Sequence, residues 1–448
     1  MTSSNFTRQL IAACHPARRA PPDDVREIAC HALLDWLSVL CGALDQPVVQ
    51  HVLREALENG SIPLATLPGL QQKLSLRDAA RFNGVASHTL DFDDTHLPSR
   101  VHPSTPLWPA VLAQAEALDL TGLQASSAFI AGVEFQSRLA AVLGEAHYAA
   151  GWHNTATLGT FGAAYATGIL LGLDEIALNH AVGIAGSFAS GSRHQFGSEA
   201  KPLQCGNAAA NGLYAARLAQ RGVTATEGVF DEGVGYAELL SSRVSRTMDN
   251  DRWFTRDIVF KYHASCYGTQ APIHAALPFA VQPLPPGRID VFIEPQYLQV
   301  CNIAQPATSG EARFSVRHMV AMALLGRDTV NEPSFASSLT DKAVLAVRQL
   351  IEVKADSTLH RACARIEWGD GRLTQAEMNK AEVDHHVQLA RLKAKSHLLL
   401  SSRFSSGKIE AIHHAIMTLN SASPVRDLCG LLAAPDFALT SVPIPGTK

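Results

Sequence analysis

From Thr155 to Leu173 the chain reads "TATLGTFGAAYATGILLGL", nineteen residues without a charge. Such a stretch must either cross a membrane or lie inside a packed core. It is rich in Gly, Ala and Thr, and its flanks are His153 on one side and Asp174-Glu175 on the other. A Lys/Arg-rich flank and an aromatic belt are both missing. A buried helix with closely approaching neighbours is therefore expected. The partners for such a helix are present. Residues 23–44, 75–90, 106–118, 122–144, 175–191 and 206–222 carry apolar positions at helical spacing, with Ala and Gly recurring on the apolar faces. Small residues let helix axes come close, which suits a layered helical unit. Ser75 with Asp78 three residues on reads as a helix start.

The texture changes near residue 285. "PLPPGRIDVFIEPQYLQVC" (283–301) follows a Pro/Gly break with β-branched stretches that predict strands. Helices are expected at 310–326 and 341–353. A hairpin turning at Asp370-Gly371 is expected in 364–378, and helix again over 395–419. The fold class is thus mainly α: a large all-helical domain at 1–270 and 399–448, with a smaller α+β domain at 271–398 inserted before the C-terminal helices.

With 448 residues, 47% of them hydrophobic, the chain can bury a sizeable core. A formal charge of −4 without basic runs favours neither nucleic acid nor an anionic membrane. The eight cysteines include no C-x-x-C pair, so reduced thiols are expected rather than a zinc or iron–sulfur centre. The N-terminal residues lack the apolar run of a secretory signal, and a cytoplasmic location is expected.

Against this apolar background four polar islands stand out. "ASHTLDFDDTHLPSRVHPSTP" (86–106) crowds Asp91, Asp93 and Asp94 ahead of His96 and His102. The others place His153 at the mouth of the uncharged helix, Lys201 just before a Gly/Ala helix, and Lys261, His263 and Cys266 ahead of a further one. Helix starts hold anions through their free N–H groups. Asp, His and Lys beside such starts suit proton transfer at a carbon next to a carboxylate. The same aspartates could instead cap helices and face water, and Cys266 reads as a small buried hydrophobe rather than a nucleophile. A metal is the competing use of an Asp/His set, but no H-E-x-x-H or similar spacing is present, so none is expected.

The segments "NGVASHTLDFDDTH", "HPSTPLWPAVLAQAEAL", "GWHNTATLGTFGAA", "KPLQCGNAAANGLYAARLAQRGVTA", "KYHASC" and "PATSGEARFS" resemble the MmgE/PrpD family. That family includes 2-methylcitrate dehydratase, cis-aconitate decarboxylase and iminodisuccinate epimerase. The resemblance implies a homodimer, no metal or organic cofactor, and a site between a large helical and a small α+β domain that takes a small polycarboxylate. It implies Asp91, His102, His153 and Lys201 as the acid/base set. Thr95, Arg193, Gln270, His263 and His318 are the expected substrate-binding residues. Gln270 stands where several relatives carry a histidine, and His318 where the decarboxylase has a tyrosine. One titratable group fewer suits a reaction without a leaving group, so an epimerase acting on iminodisuccinate is the preferred expectation. A hydro-lyase or decarboxylase on a tricarboxylate is the alternative, and a non-catalytic ligand-binding protein the second.

Overall fold

The computed structural model describes residues 5–16, 18–233, 235–378 and 384–434. The ends of the expected large domain at 1–4 and 435–448, and residues 379–383 of the small one, lie outside the described residues. The molecule is mainly helical, with small sheets.

The uncharged stretch forms the Asn154–Leu170 helix, buried along almost its whole length by protein. Among the described residues no single helix is long and apolar enough to cross a membrane. The helices Ser104–Ala117, Gly122–Ala149 and Ala200–Gln220 pack against it, and Leu76–Thr89 packs on Ala200–Gln220. Glycine makes these approaches possible. A Cβ on Gly212 would stand 2.6 Å from the Thr160 carbonyl oxygen, and one on Gly206 would stand 2.4 Å from that of Arg81. Ser75 caps its helix as expected, its Oγ accepting from the Asp78 N–H at 3.2 Å. The Gly122–Ala149 helix opens on a Thr121/Gln124 capping box and kinks at Gly144, whose φ is 62°.

The smaller sheet runs Ile351–Ala355, Ile289–Ile293, Cys363–Trp368, Leu373–Glu377 across its width. The first pair is parallel, with Ile289 opposite Ile351, and the others are antiparallel. Within Ile289–Ile293 the alternate residues Ile289, Val291 and Ile293 are buried. The hairpin around Asp370-Gly371 forms as the pattern predicts, with Gly371 at φ 87°. Three expected elements differ. The helix expected at 310–326 breaks into Ser309–Ala312 and Val316–Leu324, because Ser315 caps a new start by accepting from the His318 N–H. The one expected at 395–419 divides into His385–Leu400 and Ser406–Met417, the second capped by Ser405. The reading of 341–353 as helix holds to Leu350, after which β-branched Ile351 and Val353 join the sheet.

Candidate functional site

A two-residue pairing aligns the first wall of the site. Thr95 and His96 lie antiparallel to Val259 and Ile258, which sets the 260s strip beside the three aspartates. The aspartates do not face water. All three are buried, and each has a different partner set.

Asp91 sits just past the C-terminus of the Leu76–Thr89 helix with φ 48°, in the left-handed region that non-glycine residues rarely occupy. Such a conformation costs about 1–3 kcal/mol and survives only where its surroundings dictate it. Here two ammonium groups do so. Lys201 donates to Oδ2 at 2.8 Å, and Lys261 donates to Oδ1 and, at 2.8 Å, to the Asp91 carbonyl. Burial by itself raises the Asp91 carboxyl, but Lys201 and Lys261 override it and hold the group well below the usual carboxylate range. Burial disfavours a charged Lys201, yet Asp91 keeps it an ammonium with a raised pKa. Lys201 lies in the first turn of the Ala200–Gln220 helix rather than ahead of it, since Pro202 is tolerated at a helix start.

Asp93 serves the imidazoles. Its Oδ2 lies 2.8 Å from His88 Nδ1, 3.2 Å from His102 Nδ1 and 2.8 Å from the Thr105 hydroxyl. Burial lowers the pKa of His102 and pushes that of His88 down to about 4, against the pull of Asp93. His153, the N-cap of the uncharged helix, is lowered by burial and then by Lys201, and its Nδ1 pairs with Gln204 Oε1 at 2.8 Å. Near neutral pH these rings are uncharged. Asp94 accepts from the N–H and hydroxyl of Ser104, the first residue of the next helix. This is the capping alternative, performed inside the protein rather than facing water.

Asp91, Thr95, His102, His153 and Lys201 line one cleft. The four polar islands meet there, the last through Cys266. Leu97, Phe196, Val300 and Phe314 make much of the remaining wall, and Tyr148, Tyr267 and Tyr297 add phenol rings. Arg100 and Arg361 complete it, the first from the aspartate island and the second from the segment before the Cys363–Trp368 strand. Both guanidinium groups reach Glu145, Arg100 at 2.9 Å.

Four expected binding residues are placed elsewhere. Gln270 is fully buried and spends its amide on the 262–265 backbone, donating to the His263 carbonyl at 3.0 Å. His263 turns to Thr329 at 2.7 Å and stacks edge-on against His274. His318 is buried against Ser338 at 2.8 Å, because Ser315 restarts its helix on the far side of Phe314. Arg193 stacks on the Tyr148 ring at 4.1 Å, and it is Tyr148 that lines the cleft. The residues the sequence reading passed over are Lys261 as a second partner of Asp91, and the arginines. Lys261 stood in a recognised island. Arg361 had no local signal, since the groups that hold it, the Leu97 carbonyl and Glu145, are 264 and 216 positions away.

The MmgE/PrpD N-terminal domain matches residues 12–247 and the MmgE/PrpD C-terminal domain residues 263–420. Human cis-aconitate decarboxylase is 32% identical over 274 residues, 57% of this chain and 56% of that protein. The mouse cis-aconitate decarboxylase is 30% identical over 61% of this chain and 59% of its own length. These two alignments thus span less than two thirds of the relatives. The cis-aconitate decarboxylase-like protein oryM of Aspergillus oryzae is 26% identical over 92% of this chain and 94% of its own. Two domain matches that together cover most of the chain, and a cleft built from the segments that carry the likeness, make this protein a member of the MmgE/PrpD family.

Proposed function

We propose that the chain is a lyase that decarboxylates a small unsaturated tricarboxylate of the cis-aconitate type, without an organic cofactor. The observation that carries this reading is the buried Lys201–Asp91–Lys261 triad beside neutral His102 and His153, facing a cleft with a largely apolar wall. Arg100 and Arg361 hold two substrate carboxylates by charge-assisted hydrogen bonds. The third carboxylate, set against Phe196 and Phe314, loses hydration, which favours release as neutral CO2. The C–C bond to that carboxylate breaks and its electron pair passes into the adjacent double bond. The carbon at the far end then takes a proton from Lys201, and CO2 leaves. The net change is one carboxylate and one proton for one C–H bond and one CO2. Asp91 keeps Lys201 charged until the proton moves. The names of the relatives support the same chemistry.

Epimerisation of iminodisuccinate uses the same groups differently: a neutral imidazole, His102 or His153, removes the Cα proton and Lys201 returns one to the other face. Gln270, the residue that favoured this reading, belongs to the scaffold, and the preference therefore passes to decarboxylation. The deciding experiment incubates the pure protein with cis-aconitate and with iminodisuccinate in D2O. Release of CO2 with one deuterium entering the product per turnover supports the lyase. Exchange at Cα of iminodisuccinate without any CO2 from a tricarboxylate panel overturns it in favour of the epimerase. Inactivity toward both, with ligand affinity retained, points to a binding protein.

A further inference from the structure

Behind the reacting face of the cleft, three buried side chains from distant segments converge. One ring nitrogen each of His88 and His153 and the Cys205 thiol lie within 4.8 Å of one another. In both histidines Nδ1 is already engaged, with Asp93 in one and Gln204 in the other, each at 2.8 Å. Both acceptors are oxygens, so the Nδ1 atoms carry the protons and the Nε2 atoms present lone pairs. Both Nε2 atoms are buried without a hydrogen-bond partner among the described residues. The residues themselves are only 1% and 2% exposed. Leaving a buried polar atom unpaired costs about 1–3 kcal/mol, and both histidines of this group carry one. A histidine whose first nitrogen is oriented by a carboxylate or amide, with the second bare, has the usual arrangement of a metal ligand.

We propose that His88, His153 and Cys205 form a site for a zinc ion, with two nitrogen ligands, one sulfur ligand and the fourth position open toward the cleft. Two imidazoles and one thiolate suit a borderline-soft d10 ion in a tetrahedral site. The local charge permits it. Lys201, one helical turn before Cys205, shares Asp91 with Lys261, and the Asp93 carboxylate directly behind His88 supplies the second negative charge. No short spacing announces the site, because its ligands are at positions 88, 153 and 205. Bound to His153 in the cleft wall, the ion adds positive charge beside Lys201 and lowers its reach toward substrate, so zinc inhibits turnover. That second clause rests on the role of Lys201 under the proposed function; the binding does not.

The test strips the full-length protein of metal and titrates it with zinc chloride against a chromogenic chelator. One ion per chain is expected, and Cys205→Ser lowers the affinity at least tenfold. The His360, Cys363 and Glu377 group also holds a thiol, and it serves as the control: Cys363→Ser leaves the affinity within twofold. X-ray absorption at the zinc edge of the wild type needs no variant to fold at position 205. It should show one sulfur at about 2.3 Å and nitrogen neighbours at about 2.0 Å. The absence of stoichiometric zinc, a first shell without sulfur, or a sulfur that vanishes in Cys363→Ser overturns the site. Inhibition that persists unchanged in Cys205→Ser overturns only the second clause.

Discussion

Asp91 shows how a single residue concentrates the chemistry. It is buried, strained at φ 48°, and shared between two ammonium groups. The two lysines are predicted to separate by experiment. Lys201→Met removes the proton source and lowers kcat by about 10²-fold or more, while Lys261 still partners Asp91. Lys261→Met removes the more deeply buried partner and costs about 3–5 kcal/mol of stability. Steady-state kinetics and urea denaturation of the two variants check this: kcat is the larger casualty in the first and the midpoint in the second. The histidines predict a pH dependence. In the folded protein His88 titrates near 4 and His263 near 3, while unfolded histidine titrates near 6.5. Between those values the unfolded chain binds more protons, so stability rises with pH and is lost as pH falls from about 6.5 toward 4. Asp35, raised to about 6 by burial, and Asp94, raised well above the usual carboxylate range by burial, work in the opposite sense and are outnumbered by the depressed histidines. The urea midpoint is expected to be lower at pH 5 than at pH 7; an unchanged or higher value contradicts the assignment of buried neutral rings.

At the scale of elements, the site depends on how closely helices cross. The Ala200–Gln220 helix carries Lys201, Gln204 and Cys205, and reaches the aspartate island only because Gly206 and Gly212 admit neighbouring backbone. In an isolated helix, Gly→Ala gains about 1 kcal/mol. Here the added methyl on Gly212 meets the Thr160 carbonyl oxygen at 2.6 Å and the Ala163 Cβ at 2.5 Å. Gly212→Ala is therefore predicted to destabilise, by about 1–3 kcal/mol, and a lower thermal midpoint checks the sign. Much of this was legible in advance. The small-residue faces, the Ser75 cap and the Asp370-Gly371 hairpin follow from local rules. The breaks at Ser315 and Ser405 were missed because apolar spacing continues across them, and a serine cap is decisive only once the chain must turn to pack.

Across the whole molecule, the cleft joins parts of the chain that no local pattern links. Arg100 comes from the aspartate island and Arg361 from the sheet-bearing segment, with Glu145 between them. Arg361 Nη1 also donates to the Leu97 carbonyl at 3.0 Å, which ties that segment to the helical wall. Arg361→Gln is predicted to raise KM about tenfold or more while kcat falls little, since one charge-assisted hydrogen bond to substrate contributes about 1.5–3 kcal/mol. A fall confined to kcat, with KM unchanged, contradicts a carboxylate-binding role.

The residues that meet in the cleft were mostly visible from residue type alone. Asp, His and Lys are conspicuous in an apolar chain, and burying them demands partners. Their grouping into one site was implied by the family resemblance and rests on the packing. The choice among neighbours was not legible: Gln270, His263 and His318 sit in the right stretches yet turn to the scaffold, while Arg361 arrives from afar. Chemical type is written into each position, but the direction of a side chain depends on which helices cross and where their caps fall. Those are settled by contacts between residues hundreds of positions apart.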